Sequence, residues 1–433
     1  MRSRAFAQSC FGACLTVASL GCSASPDDAG QDGTGAGTSA GGGGSGGAST
    51  VGGTTGTGGS AASGGVPGGG SAGTPASGGT SASGGSTNGG GSGGSGPAHV
   101  VGTCEGLGAV DEWQFITPSQ VDAGSEYGVT QVLTDPIHAG TVYVGTDKRG
   151  VFKSTDCGAT WTKIDTGNYA NVIDSGIEWE MEIDPVNPDL LFAGSLYGGD
   201  PSLLRSTNAG VDWASLWPEG SNVASTVEYN FLQELSVDPT DHEHLVVSFH
   251  APCKGDYAPM CMGESNDSGA TWRLFKGPAS GWVENSRPLV LGATTWLYAT
   301  WADGLFYTSD SGESWENVGA GGGSFYQRQD GTYFLANYQA IFQSSDGHVW
   351  TKIEGSPGGA AIKGDGQRMF TSAYYCCNSK QPFFVSTESD GTAWTTLPSP
   401  TLDHGASSLA IDADHHILYA AVTAGGLLRM VTQ

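Results

Sequence analysis

Ser154-Thr155-Asp156-Cys157-Gly158-Ala159-Thr160-Trp161 returns as Ser265-Asn266-Asp267-Ser268-Gly269-Ala270-Thr271-Trp272 and again as Thr308-Ser309-Asp310-Ser311-Gly312-Glu313-Ser314-Trp315. Ser206-Thr207-Asn208-Ala209-Gly210-Val211-Asp212-Trp213 is a variant with asparagine for the acid. Ser344 to Trp350, through Asp346, is one residue short, and Ser386 to Trp394 is one residue long. Recurrence of this kind marks a repeat architecture, in which each unit buries its apolar face against its neighbours. Locally the stretch reads as a tight turn. A hydroxyl residue ends one strand, the carboxylate accepts backbone N–H bonds, and glycine supplies a backbone angle that other residues resist. The tryptophan then opens the next strand. Asp156, Asn208, Asp267, Asp310 and Asp346, with Trp161, Trp213, Trp272, Trp315, Trp350 and Trp394, are therefore structural residues and none is assigned to catalysis.

The flanks repeat as well. Val129 to Thr134 leads to Asp135-Pro136, then to Thr141 to Thr146, Val151 to Ser154 and Trp161 to Asp165. These are four short runs of alternating or apolar character bounded by turn residues, the pattern of a four-stranded unit. The same grammar appears before Asp184-Pro185 and before Asp238-Pro239. Successive tryptophans of the turns lie 35 to 59 residues apart, which suits one four-stranded blade each. Leu409 to Asp412, Ile417 to Ala421 and Leu427 to Val431 supply three strands of a last blade, and Trp113 to Thr117 is the strand that completes it. The fold expected is all-β: a single seven-bladed β-propeller of four-stranded antiparallel blades, with six blades as the alternative count.

The turn resembles the Asp-box, or BNR, repeat of the sialidase, xyloglucanase and sortilin-like propellers. That resemblance implies that inner strands line a central channel and that ligands bind on one face. This face gathers the loops before each inner strand and those between second and third strands. Here those loops offer Tyr197, Asp200, His250, Lys254, Asp256, Tyr257, Trp301, Asp303, Tyr374 and Tyr375. Aromatic rings beside carboxylates suit sugars, because a pyranose face stacks on a ring while its hydroxyls bond to acids and amides. Asp174, Tyr229, Asn230, Arg287 and His404 are further candidates at the channel mouth. Asp147 stands in a first-blade segment similar in position to the one that carries a catalytic aspartate in xyloglucan-cleaving propellers. The likeness to sialidases covers the turns and not the site: the usual Arg-Ile-Pro segment is missing.

Glu178-Trp179-Glu180-Met181-Glu182 alternates strictly, so with period two the three glutamates share one side of an inner strand. Gln131, Glu180 and Glu234 occupy the same position of three successive blades. Crowded carboxylates raise one another's proton affinity, as an acid/base pair requires. Asp147, Glu178, Glu180 and Glu234 are thus the candidate catalytic acids. A water-filled channel with solvated acids is the plainer alternative.

The first hundred residues are of another kind. Arg2 and Arg4 precede a mostly apolar run from Phe11 to Leu20, the layout of an export leader, and the run is too short to span a bilayer. Ser19-Leu20-Gly21-Cys22 resembles a lipobox, which implies cleavage and lipidation at Cys22; an ordinary cleaved signal peptide on a secreted protein is the alternative. Ser23 implies outer-membrane sorting in a Gram-negative host. Residues 23–99 are nearly all Gly, Ser, Ala and Thr, with too little apolar surface to offset ordering entropy, and are expected to form a disordered tether between the leader (1–22) and the propeller (100–433).

A formal charge of −26 argues against nucleic acid and anionic lipid as partners. The partners expected are a glycan or polysaccharide, or an extracellular peptide or protein, with membrane contact only through a lipid anchor. No cofactor or metal is expected, and the chain is expected to be a monomer. Three activities compete: glycoside hydrolysis, non-catalytic peptide binding, and polysaccharide elimination using His250 or His404 with a tyrosine. In an exported chain the six cysteines after the tether favour disulfides. Cys253 with Cys261 is the first choice and Cys104 with Cys157 the second, while Cys376 and Cys377 form a vicinal bridge or stay reduced.

Overall fold

Short apolar runs separated by turn residues fold into a ring of small sheets. The computed structural model describes residues 98–433, apart from 126, 198–201, 230, 281–285, 302, 374–381, 401 and 403. The polypeptide divides into two units, Met1–Asn88 and Gly89–Gln433, and the description concerns the second. The expected leader, Cys22 and nearly all of the tether lie outside the described residues. Tyr374, Tyr375, Cys376, Cys377, Asp200 and Asn230 also lie outside them. Among the described residues no helix is long and apolar enough to cross a membrane.

Seven four-stranded antiparallel sheets follow one another as blades. Their inner strands are Val129–Thr134, Ile177–Ile183, Leu232–Val237, Arg287–Gly292, Ser324–Gln327, Ala361–Gly364 and Ala406–Asp412, and they number blades 1 to 7. In blade 1 the strands run Val129–Thr134, Val142–Thr146, Val151–Ser154 and Thr162–Lys163, within a residue or two of the sequence reading. Blade 7 takes its outer strand from the other end of the ring: Trp113–Phe115 pairs with Gly426–Val431, with Gln114 opposite Arg429. This closure covers an edge that would otherwise present unpaired backbone groups. The seven-blade count holds, and the six-blade alternative falls.

The closure carries a clasp, of which the sequence revealed the disulfide alone. Val100–Val101 runs parallel to His138–Ala139, and Cys104 is bonded to Cys157. Arg429, 4% exposed, donates to the carbonyls of Cys157, Glu105 and Gly106 and to Gln114 Oε1. The second disulfide joins Cys253 to Cys261 in blade 3. Both pairings match the expectation.

Within each repeated turn the hydrogen bonds are local. Asp267 Oδ1 accepts from Thr271 N at 2.8 Å and Oδ2 from the Thr271 hydroxyl at 2.6 Å, while Gly269 N donates to Ser265 Oγ at 2.8 Å. Trp272 Nε1 returns to the Gly269 carbonyl at 2.9 Å. Hydrogen bonds from the Ser314 side chain and backbone hold Asp310 down at about 2. In the asparagine variant the carboxylate comes from Asp212, which accepts from Asn208 Nδ2 and Asn168 N. Trp161 departs from the pattern: its Nε1 donates to Ile116 O at 2.7 Å and so reaches the closing segment.

The glycine of each turn also lets neighbouring blades approach. Gly312 has φ +80°, and a Cβ there would stand 2.6 Å from the Phe275 ring of blade 3. Gly312→Ala is therefore expected to cost about 3 kcal/mol, combining left-handed strain with overpacking. Denaturant unfolding measures this, and a wild-type midpoint would contradict the packing described.

Candidate functional site

Inner strands of blades 1, 2, 3 and 7 each carry one extra residue. The register shifts between Val129 and Gln131, Glu178 and Glu180, Leu232 and Glu234, and Ala406 and Ser408. A bulge re-aims the side chains that follow it. Gln131, Glu180 and Glu234 then face the axis together, in the matching positions expected, and line a channel cavity of about 440 Å³ with Glu182, Arg287, Tyr326 and Lys363. Arg287 Nη1 stands 2.6 Å from Glu234 Oε1. The other Glu234 oxygen is buried without a hydrogen-bond donor among the described residues.

Burial pushes the Glu180 carboxyl well above its ordinary range, and the charges of Glu234 and Glu182 add to the push. Glu182 is pushed up to about 7, again by burial, with Lys363 opposing. Glu234 is also raised by burial, with Arg287 pulling it back. Glu234 is thus the neighbouring charge that raises the proton affinity of Glu180 most. The trio is a proton-holding cluster neutralised by one arginine and one lysine. Glycosidases set their two acids about 5–9.5 Å apart around the scissile bond. Glu234 is committed to Arg287 at 2.6 Å, so Glu180 and Glu234 are not read as a hydrolytic pair. Arg287, expected at the mouth, is instead committed inside the channel.

Glu178 corrects the strict alternation. Trp179 is the extra residue, so Glu178 pairs with Ser195 while Glu180 pairs with Gly194. Glu178 is fully buried under Gly145, and its proton affinity is raised by burial and then by Asp165 and Asp174. It lies between blades 1 and 2, away from the other two glutamates. Lys163 bridges Asp165 and Asp174, each at 2.8 Å. Asp165 Oδ1 accepts from Val151 N at 2.9 Å and so supports the 147–150 loop from below. Asp147 sits in that loop, its Oδ1 3.0 Å from Lys148 Nζ, and its backbone N–H donates to Gly128 O.

Second-to-third loops meet the segments that lead into inner strands, which brings both sets to one face. Asp147 bridges Ile177, Cys253 bridges Val227, and Gly359 N donates to Asn337 O. Two aromatic groups rise there. Between blades 2 and 3, exposed Tyr197 and Tyr229 pack against Phe231 at 5.2 and 5.9 Å, and Tyr197 Oη lies 2.9 Å from His250 Nε2. His250 Nδ1 is 2.7 Å from Gln233 Oε1, and burial pushes the imidazole down to about 4. Between blades 4 and 5, Trp301 stacks on Tyr338 at 4.8 Å.

Other expected ligand residues have different roles. Asp303 accepts from Ser280 N at 2.8 Å and from its hydroxyl, so it pins a loop. Tyr257 follows Gly255 and Asp256 in a single 3-10 turn and packs on the blade 3 core beside the disulfide. His404 is half-buried, with Nδ1 unpaired among the described residues. Sequence reasoning missed Gln233, Tyr338 and Lys363. Lys363 could have been found by aligning Ala361–Gly364 with the other inner strands, whereas Gln233 is visible only once the bulge is known.

A group sized for a metal occurs at Cys104, Cys157 and His415. Both sulfurs are spent in the disulfide, so its donor chemistry does not fit one.

No protein-family model matches the chain. Xyloglucanase Xgh74A of Acetivibrio thermocellus is 24% identical over 218 residues, covering 46% of this chain and 25% of that enzyme. A xyloglucanase of a Paenibacillus species is 24% identical over 286 residues, covering 54% and 27%. The chain thus spans about a quarter of the length of the curated relatives it matches. Among solved structures, the GH74 xyloglucanase of Xanthomonas campestris aligns with TM-score 0.52 at 19% identity, over 74% of this chain and 54% of that one. YCF48 bound to D1 peptide aligns with TM-score 0.51 at 14% identity, over 76% and 100%. At these identities the structural likeness establishes the propeller fold alone.

Proposed function

We propose that the propeller engages a polysaccharide of the β-glucan class across its loop face, as a hydrolase-like member of the Asp-box propellers. Two aromatic platforms carry the reading, Tyr197–Phe231–Tyr229 and Trp301–Tyr338, standing on one face of a rigid ring. Such rings stack on sugar faces, and the relatives named as xyloglucanases support that ligand class. Asp147 is the acid assigned to proton transfer in hydrolysis, because its loop is braced by Asp165 and opens at the mouth. The reading includes export of the protein and its anchoring through Cys22.

Asp147→Asn tests the catalytic half. Reducing ends released from xyloglucan are expected to fall at least about 100-fold while binding persists. Equal release by the variant would remove Asp147 from the chemistry. No release by wild type would leave a binding protein. The second reading, peptide capture, is favoured by the alignment along the whole of the peptide-bound YCF48 chain. Retention of peptides in place of glycans would select it.

A further inference from the structure

The loop that carries Asp147 is tied to both neighbouring blade entries. Asp147 N donates to Gly128 O at 3.0 Å and Lys148 N to Gly176 O at 2.8 Å, which fixes the loop to the segments leading into the inner strands of blades 1 and 2. Lys148 has a left-handed φ of +57°, a conformation that persists in such a residue only where its surroundings impose it. The Thr146 hydroxyl donates to Gly150 O at 2.6 Å and closes the turn. Asp165, fully buried, packs against this turn: its Oδ1 accepts from Val151 N at 2.9 Å, and a Cβ at Gly150 would collide with its Oδ2. The same Oδ2 stands 2.8 Å from Lys163 Nζ, which reaches on to Asp174 at 2.8 Å. Asp174 closes the short helix Ala170–Ile173 that precedes the inner strand of blade 2. One ammonium therefore joins the outer strand of blade 1 to the entry of blade 2, with the Asp147 loop seated on the join.

We propose that Lys163 and Asp165 are positioning residues for Asp147, a charged strut between blades 1 and 2 that fixes where the Asp147 carboxyl stands at the mouth of the face. The inference rests on the hydrolytic reading of Asp147 and deepens it. Neither residue is placed against the ligand, since Asp165 is buried and Lys163 is paired with two carboxylates. Lys163, Asp174 and Glu178 face Asp165. Burial pushes Asp165 up to about 6 against the pull of Lys163, and burial also raises Glu178 well above its ordinary range. Below about pH 6 Asp165 gains a proton and loses its ion pair with Lys163; above it the pair is complete. The strut is therefore whole on the alkaline side of that value and slack on the acid side.

Release of reducing ends from xyloglucan by the full chain, followed as kcat and KM between about pH 4.5 and 8, tests this with Asp165→Asn, Lys163→Met and Lys163→Arg. Hydrogen exchange of residues 146–151, read by mass spectrometry, accompanies it. Displacing a group that acts in the chemical step lowers kcat and spares KM. Asp165→Asn and Lys163→Met are each expected to lose about 10-fold or more in kcat, with KM within about 2-fold. Lys163→Arg keeps the charge and is expected to recover part of that loss. The titration of Asp147 is common to all four proteins, so differences between their pH profiles report Asp165. An acid limb near pH 6 is expected to move upward in Lys163→Met, which removes the charge opposing burial, and to vanish in Asp165→Asn. Exchange of the loop is expected to quicken in both. Wild-type kcat in Asp165→Asn and Lys163→Met would overturn the positioning role. So would losses confined to KM and melting temperature with the acid limb in place. No release by the wild-type chain would remove the hydrolytic reading; exchange then decides the strut by itself, and an unchanged loop in both variants would overturn it. Melting curves identify a variant that fails to fold, and Lys163→Met, at a side chain 34% exposed, keeps the test open if Asp165→Asn does.

Discussion

Arg287→Ala is expected to cost the propeller about 3–5 kcal/mol, the usual penalty for removing one partner of a buried ion pair. The guanidinium is the group 2.6 Å from Glu234, and its charge also holds down Glu180 and Glu182. Without it, the carboxyls face one another with Lys363 as the charge that still opposes Glu182 and Glu234. The loss has a pH signature. Each of the three carboxyls has a folded pKa above its unfolded value near 4.5, so the folded state holds extra protons. Stability contributed by that protonation is complete below about pH 4.5. It is lost as pH rises, through about 7 for Glu182. Arg287→Ala widens the window upward, so its penalty is largest above pH 7 and shrinks toward pH 4.5. Adding Glu234→Gln is expected to restore much of the loss. Denaturant unfolding at pH 5 and pH 8 measures this, and an equal penalty at both values would contradict the channel electrostatics.

A chain begun at Ile116 is expected not to form a stable ring at 37 °C. It loses the strand paired with Gly426–Val431, the Trp113 ring set 4.6 Å from Phe383, and the Cys104–Cys157 bond. Removal of a native disulfide alone typically costs about 2–5 kcal/mol. The bared edge of blade 7 is a template for pairing with other chains. Light scattering is expected to show aggregation, and near-ultraviolet dichroism a loss of fixed tryptophan environments. The milder Trp113→Ala is expected to fold with stability lowered by about 3 kcal/mol. A monomeric truncated chain with the wild-type melt would mean that the ring does not depend on its closing strand.

Local chemistry is what the sequence makes legible. The repeated turns could be read because most of their bonds are made within eight or nine residues, as from the hydroxyl of Ser265 to the indole of Trp272. Closure could be read because leftover strands stood at both ends. The bulges could not, since the extra residue is Trp179 in one blade, Gln233 in another and Ser407 in a third, with no shared side chain. That is why Glu178 appeared to share a face with Glu180 and Glu182. The pairing of Arg287 with Glu234 crosses 53 positions and two blades, and depends on a register that only the ring supplies. The parallel pairing of Val100–Val101 is two residues long and carries too little pattern to be foreseen. On the loop face, Tyr197, His250 and Trp301 could be picked out by residue type. Their partners Gln233, Phe231 and Tyr338 could not, because the partnership lies in how adjacent blades meet.

Affinity electrophoresis of the full chain through gels holding xyloglucan, other soluble β-glucans, or no polymer is the most direct test. The account predicts retardation in the xyloglucan gel that Trp301→Ala and Tyr229→Ala each reduce. Unaltered migration of the wild-type protein in every polymer would contradict a polysaccharide-binding face.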